Sequence, residues 1–257
     1  MNDSALIGST GFIGTNLNRQ HHFAAKYNSQ SAQEMIGKEF EVVVCAAPSA
    51  EKWKANNEPD VDWANIQNLI NILSGIHARE FILISTIDVY PNPVDVFEDT
   101  TIERDAGFPY GKHRLLFEEF VRSAFNDHLI IRLPGLFGKG LKKNFLFDML
   151  HKPGALQLTH CESTYQFYNV NYLWADIELV KARRLRTVNF ATPPLIVREL
   201  ANTCFGVDFE NSPQQGPIAY DMRTHYATLF DNQGYYIWTR QREIEEIRRF
   251  VESEKTL

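Results

Sequence analysis

The chain is poor in the features that mark a membrane protein, a metal site or an oxidised extracellular scaffold. It holds three cysteines in 257 residues, Cys45, Cys161 and Cys204, far apart and without metal-ligand spacing. Buried thiols in a reducing cytoplasm are therefore expected, with no disulfide and no metal. No apolar run approaches the length of a membrane span, so no membrane partner is expected. The first residues lack a charged stretch followed by an apolar one, and no signal peptide is expected either. Basic residues do not outnumber acidic ones: 26 Lys and Arg stand against 32 Asp and Glu, a net charge of -6. That balance argues against general nucleic-acid binding, which needs a basic face. One local absence bears on specificity: no Asp or Glu occurs between Asp3 and Glu34.

What is present is organised around Ala5-Leu6-Ile7-Gly8-Ser9-Thr10-Gly11-Phe12-Ile13-Gly14. The apolar run predicts a buried parallel strand, and Phe12 opens a helix to about Arg19. Three glycines spaced three apart fill the turn between them. Gly8 suits the tight turn, Gly11 a close backbone approach to a pyrophosphate, and Gly14 close packing of helix on strand. The helix N-terminus then faces an anion. Alone the triplet fits a plain structural turn equally well; its place directly after a first strand favours a dinucleotide site.

His21 to Tyr27 reads as a second strand ending at Asn28. An acid that grips the adenosine ribose belongs near this position, and Asn28 stands there with Arg19 and Lys26 nearby. Without the acid a 2′-phosphate meets no repulsion, so NAD and NADP both stay open. Glu41 to Ala46 is a third strand, β-branched throughout, as a strand covered on both faces is. It ends in the small residues Ala46, Ala47 and Pro48. A polar loop with Trp53, as packing or as a pocket wall, leads to a helix from about Asp62 to Ile76. Its Ile66, Leu69, Ile70 and Leu73 recur at helical spacing and suit core or dimer packing. Phe81 to Ile84 is the fourth strand and delivers Ser85-Thr86 to the sheet edge where ligands bind.

Pro91 to Phe108 reads as a long polar loop, and Pro109 starts a helix that carries Tyr110, Arg114, Phe117 and Val121 on one stripe. Leu129 to Leu133, Gln166 to Val170 and Val188 to Phe190 are further strands. Helices are expected near 145–150, 173–183 and 241–251. Lys139, Lys142 and Lys143 form a basic cluster that suits a solvated face as well as a ligand. The alternation loosens after Thr192, as in a small lobe.

Tyr110 and Arg114 stand four apart, hence on one helix face. A phenol near pKa 10 needs a cation to exchange protons at neutral pH, and a guanidinium can supply the charge and also bond a ribose. The spacing by itself is unspecific, because Tyr236 and Arg240 repeat it. What distinguishes Tyr110 is its position 24 residues after the Ser85-Thr86 that closes a strand.

Gly8 through Gly14, Ala46-Ala47, Pro59 with Asn65-Ile66, Ser85-Thr86-Ile87-Asp88-Val89-Tyr90, Pro109-Tyr110-Gly111-Lys112 and Arg132 through Gly138 occur in order. Together they resemble the extended short-chain dehydrogenase/reductases, specifically the NAD(P)-dependent nucleotide-sugar epimerase/dehydratase family. The resemblance implies an α/β, Rossmann-type doubly wound parallel sheet with a small C-terminal substrate lobe. On that pattern residues 1–190 form the NAD(P)-binding domain, with a substrate-lobe insertion at about 139–185, and 191–257 complete the lobe. It implies Thr86 as the hydroxyl that orients the substrate oxygen, Tyr110 as acid/base and Arg114 as its cation. It places the cofactor over Gly8, Ser9, Thr10, Gly11, Phe12, Ile13 and Gly14 and against Asn28, Ala46, Ala47, Pro48, Ser85 and Pro134. Asn65 supports the active-site backbone. Asp88, Tyr90, Lys143 and Asn144 contact a substrate that the family pattern makes a nucleotide sugar, and the assembly implied is a homodimer.

The departures shape the expectation. The family has lysine where this chain has Arg114, a bulkier, forked cation; Lys112, two residues from Tyr110, points elsewhere. Ile87-Asp88 replaces the Asp-Glu pair of the dehydratases, which argues against 4,6-dehydration. Gly135 replaces a family asparagine, and Asn144 is a candidate for that contact. The reading is a cytoplasmic reductase or epimerase that transfers hydride at a sugar carbon, reductase first. The alternative is a catalytically weak dinucleotide-binding sensor or scaffold of the same fold.

Overall fold

A computed structural model describes residues 2–255. Contacts divide the chain into two units: 1–91, 100–132 and 173–188 in the first, 92–99, 133–172 and 189–257 in the second. The sequence pattern put the dividing points elsewhere: residues 92–99 join the second unit, and the helix after Tyr172 returns to the first. Among the described residues no helix is long and apolar enough to cross a membrane.

The first unit contains β1 (Asn2–Ile7), α1 (Phe12–Gln20), β2 (Ala25–Tyr27), β3 (Glu39–Cys45), α2 (Lys52–Asn57), α3 (Pro59–Leu73) and β4 (His77–Thr86). After β5 (Val94–Val96), which belongs to the second unit, the first resumes with α4 (Pro109–Ala124) and β6 (His128–Leu133). The second unit then contributes β7 (Gly135–Phe137), α5 (Phe145–His151), β8 (Thr164–Tyr165) and β9 (Phe167–Asn169). The first closes with α6 (Leu173–Lys181) and β10 (Thr187–Asn189), and the second with β11 (Leu195–Ile196), α7 (Val197–Leu200), β12 (Asp221–Met222) and α8 (Arg240–Lys255).

The six-stranded sheet runs β10-β6-β4-β3-β1-β2, with β1 parallel to both β2 and β3 and β3 parallel to β4. This is the doubly wound arrangement: the chain moves from β1 outward to β2, then returns to lay β3 on the other side. The order therefore reverses between β1 and β3, and the crevice beyond their C-terminal ends is where such sheets bind ligands.

Alternation along the strands assigns the two faces. Ala5, Ile7, Val43, Cys45, Phe81, Leu83 and Ile130 pack with Ile66, Leu69, Ile72 and Leu73 of α3 and Phe117 and Val121 of α4. The apolar stripes offered for a dimer are thus core, buried within this chain. Leu6, Val44 and Ile82 are buried on the opposite face. The polar loop expected around Trp53 is instead helix α2, with Trp53 79% exposed on it. The long loop after Pro91 contains β5, paired with β12.

In the second unit β7 pairs with β9 and β8 with β11. Helix α8 buries Ile247, Phe250 and Val251 together with Glu243 and Glu246. Glu243 accepts the Phe167 backbone N–H at 2.8 Å through Oε1, while its buried Oε2 finds no hydrogen-bond partner among the described residues. Burial pushes its pKa well above the ordinary glutamate value, against the backbone hydrogen bond and the charge of Arg240. A raised folded-state value means stability that is present below the unfolded pKa and is lost as pH rises through the folded one. Glu243→Gln is accordingly expected to melt a few degrees above wild type at pH 8, with the gap closing toward pH 4, in thermal unfolding followed by circular dichroism.

Candidate active site

The glycine loop joins β1 to α1 at the reversal point. Gly8 has φ +81°, and a side chain there would stand 2.8 Å from the Ala46 carbonyl oxygen at the end of β3. A side chain at Gly14 would meet the Gly8 carbonyl at 2.1 Å. The chain's own packing thus requires both. Gly11 is different: its φ is -74°, and an added Cβ would meet only the Gly8 oxygen, at 3.3 Å. A side chain there would press only on the Gly8 backbone, by a few tenths of an ångström, far less than at Gly8 or Gly14. Gly11 caps α1 without a side-chain hydrogen bond, so the first-turn N–H groups of Phe12 and Ile13 point outward with no acceptor inside the helix.

The rest of the loop is tied down. Gly8 and Ser9 donate their N–H groups to the Tyr27 carbonyl at 2.9 and 3.0 Å, and the Ser9 carbonyl accepts from Asn18 at 3.2 Å. Thr10 is exposed beside them. The Asn28 side-chain oxygen accepts from the backbone of Gln30 and Ser31 at 2.9 and 3.2 Å, closing its own turn. Arg19 reaches Asn16 at 3.1 Å. Ala46, Ala47 and Pro48 are half-buried at the end of β3.

Thr86 ends β4, and its hydroxyl accepts the Asp88 N–H at 3.2 Å, capping a one-turn helix. Helix α4 comes down on this turn because residue 111 is glycine: a Cβ there would stand 1.8 Å from the Asp88 carbonyl oxygen. Tyr110 is thereby brought near Thr86, whose hydroxyl is among the groups that favour its phenolate. Asn56 of α2 accepts the Tyr110 N–H at 2.9 Å. That support was expected from Asn65, which is exposed on α3 instead.

Arg114 lies over the Tyr110 ring, 4.2 Å from its centroid. Its guanidinium donates to the Asp62 carboxylate and, at 2.5 Å, to the Ser49 carbonyl; Asp62 also pairs with His113 at 2.8 Å. Without a cofactor in place the balance at Tyr110 runs toward the phenol; the lowering expected in the cofactor complex concerns a separate state. Burial raises the pKa and outweighs Arg114, Lys52 and the nearby Thr86 hydroxyl, which lower it, while Asp88 raises it further. The rival pair comes apart: Tyr236 donates to Asp221 at 2.6 Å and Arg240 pairs with Glu199. Lys112 pairs with Asp105 at 2.8 Å.

Behind these residues sits a buried ionic network. Glu118 of α4 accepts from Ser85 at 2.6 Å, from Arg132 at 3.0 and 2.7 Å and from Arg122 at 2.9 Å. Arg132 donates further to the Tyr90 hydroxyl at 2.6 Å. Two sequence expectations change here. Ser85 turns its hydroxyl into the network, and Tyr90 is a core residue rather than a substrate contact. Burial alone would raise the Glu118 pKa, but Arg132, Arg122 and Ser85 hold it below the usual value.

Pro134, Lys143 and Asn144 belong to the second unit. Pro134 is buried and Lys143 exposed. Asn144 caps α5, accepting from Phe147 at 3.1 Å and donating to the Leu136 carbonyl at 2.7 Å, so its side chain is committed to structure. Gly135 leaves no room for the family asparagine, since a Cβ would meet the Gln166 carbonyl at 2.8 Å. Sequence reasoning missed Lys52, Asn56, Asp62 and Glu118. Asp62 carried one local signal, as an acid in the first turn of α3, but nothing that pointed to Arg114.

A family model described as NAD-dependent epimerase/dehydratase matches residues 20–155. No curated protein matches the chain. Among solved structures, dTDP-4-dehydrorhamnose reductase from Bacillus anthracis in complex with NADP is 17% identical, with a TM-score of 0.74 over 98% of this chain and 99% of that one. UDP-glucose 4-epimerase from Thermotoga maritima with UDP-glucose is 15% identical, TM-score 0.72, over 99% of each chain. A dTDP-glucose 4,6-dehydratase double mutant from Streptomyces venezuelae with NAD bound is 14% identical, TM-score 0.72, over 98% and 96%. These likenesses establish the fold.

The network yields a stability prediction. Glu118→Gln leaves Arg132 buried against a neutral partner and is expected to cost about 3–5 kcal/mol at pH 7. The wild-type advantage is present above the unfolded carboxylate pKa and shrinks as pH falls through the lowered folded one. Urea unfolding of both proteins at pH 7 and pH 4 checks both parts.

Proposed function

The chain belongs to the NAD-dependent epimerase/dehydratase family, and from that premise we propose that it binds NAD(P) and transfers hydride at a carbinol or ketone carbon of a nucleotide-linked sugar. The observation that carries this reading is the buried Tyr110 under the Arg114 guanidinium, on the helix that Gly111 packs against the Thr86–Asp88 turn. It stands at the same strand-end edge as a loop whose Gly11 the chain's own packing constrains less than Gly8 and Gly14. In this reading the dinucleotide is held by the Phe12 and Ile13 N–H groups, across Gly11 and against Ala46 to Pro48. Bound there, the nicotinamide supplies or accepts the hydride.

Tyr110 gives its proton to the substrate oxygen in reduction and takes it back in oxidation, and Thr86 holds that oxygen. Arg114 favours the phenolate through the ring face. Burial keeps Tyr110 protonated at neutral pH, which suits a proton donor and therefore a ketone reductase ahead of an epimerase. Dehydration is disfavoured, because the position that would need an acid beside Asp88 is Ile87, 4% exposed. The missing acid at Asn28 leaves NAD and NADP both open. The division into a dinucleotide-binding domain and a substrate lobe carries over as part of this proposal, and three buried free thiols suit a reducing cytoplasm.

The binding-protein alternative draws on one observation: Arg114 stands in place of lysine and spends donors on Asp62 and Ser49. Two experiments test these readings, the first the dinucleotide site they share and the second the chemistry that separates them. Gly11→Val is expected to abolish NADH and NADPH binding by fluorescence titration, while circular dichroism stays native; undiminished binding removes the dinucleotide site.

On a panel of dTDP- and UDP-linked 4-keto sugars, Tyr110→Phe is expected to lose turnover at every pH while it keeps cofactor. Arg114→Ala is expected to lose about 10²-fold, on the scale of one misplaced proton-transfer group, and Arg114→Lys to keep activity. Equal, negligible turnover by wild type and Tyr110→Phe, both still binding cofactor, gives the alternative the lead.

A further inference from the structure

Tyr110 has two ends, and different charges address them. The ring face carries Arg114, whose donors go to Asp62 and the Ser49 carbonyl, with His113 on the same carboxylate. The rest of the residue lies by the Thr86–Asp88 turn, against whose Asp88 carbonyl the neighbouring Gly111 packs. Behind Thr86 stands Asp88, its Oδ2 3.4 Å from the Thr86 hydroxyl. On its other oxygen Asp88 is paired at 2.6 Å with Lys52, which comes from α2, 36 residues earlier in the chain. The side chains of Lys52 and Asp88 are 43% and 19% exposed, so the pair lies at the solvent side of a buried phenol. The charged groups that face Tyr110 are therefore Arg114 from its own helix, Asp88 from the turn after β4 and Lys52 from α2. Asp62 of α3 and His113 act through Arg114.

We propose that the Lys52–Asp88 ion pair is the charge balance that decides whether Tyr110 holds or releases its proton, with Lys52 a positioning residue that neutralises Asp88 on the turn packed against the Tyr110 end of α4. The inference builds on Tyr110 as the acid/base. A carboxylate one hydrogen bond beyond Thr86 opposes a phenolate, and a partly desolvated cation on that carboxylate offsets it. The i, i+4 arginine thus supplies charge at the ring, while a lysine distant in sequence governs the hydroxyl. No Lys52 role follows from motif spacing, because only the packing of α2 against the Thr86–Asp88 turn brings it there. Electrostatic influence of both groups on Tyr110 runs in the required senses, Lys52 lowering and Asp88 raising its affinity for the proton.

The experiment titrates Tyr110 directly, without turnover. Difluorotyrosine is placed at position 110 of the full chain, and its fluorine resonance is followed against pH in otherwise wild-type protein and in Lys52→Met, Asp88→Asn, the double variant and Lys52→Arg. Lys52→Met is expected to raise the midpoint by about one unit and Asp88→Asn to lower it by a similar amount, on the scale of a nearby charge. The double variant returns close to wild type, and Lys52→Arg stays there. A purely structural role for Lys52 would not reverse on neutralising Asp88. Midpoints that coincide in wild type, Lys52→Met and Asp88→Asn overturn the inference, as does a double variant that follows Lys52→Met. The result is independent of the hydride-transfer reading: turnover that survives Tyr110→Phe defeats that reading alone, while the fluorine midpoints decide this one.

Discussion

Glu118 accepts hydrogen bonds from three side chains on three stretches of chain: Ser85 at the end of β4, Arg132 on β6 and Arg122 one turn along α4. A buried ion pair of this kind is not a generous source of stability, because removing both charges from water costs several kcal/mol per ion. Its effect is to exclude alternatives. Any slip of α4 along the sheet would strand a carboxylate and a guanidinium without partners, and that is expensive. The register of α4 on β4 and β6 is therefore held by charge as well as by the packing of Phe117 and Val121.

The site inherits that register. With α4 fixed, Gly111 lies on the Asp88 carbonyl, and Tyr110 comes near Thr86. Arg132 extends the same network to the Tyr90 hydroxyl, so the segment from Ser85 to Tyr90 is anchored at both ends. A side chain that exchanges protons within such a frame keeps one geometry toward a substrate oxygen, the condition under which positioning contributes to rate.

Around Tyr110 the contest is between desolvation and charge. Burial favours the phenol, Asp88 adds to it, and Arg114, Lys52 and the nearby Thr86 hydroxyl oppose. Because Arg114 and Lys52 are each paired with a carboxylate, neither acts as a bare cation. The second unit offers a contrasting case in Glu243, where one backbone hydrogen bond is too little against full burial and the carboxyl prefers its proton. The same two effects thus lower the Glu118 pKa and raise that of Glu243, and the difference is the number of donors within reach.

Local chemistry along the chain was enough to determine the glycine turn, the strands on either side of the reversal point, the Pro109 helix start and the shared face of Tyr110 and Arg114. Each follows from backbone sterics or helical period over fewer than about ten residues, the range over which periodicity speaks. Only the tertiary structure decided the partners. Lys52 with Asp88, Asp62 with Arg114 and Asn56 with Tyr110 are separated by 36, 52 and 54 positions. Those pairings depend on which strands lie side by side and how far each helix slides, and no local pattern encodes either. For the same reason Tyr90 and Ser85 looked like site residues from their neighbours in sequence, while a buried arginine from another strand and a glutamate from α4 claimed their hydroxyls. Asn144 was claimed nearer home, by the helix it caps and the Leu136 carbonyl, because an unsatisfied helix end takes the first side-chain oxygen that reaches it.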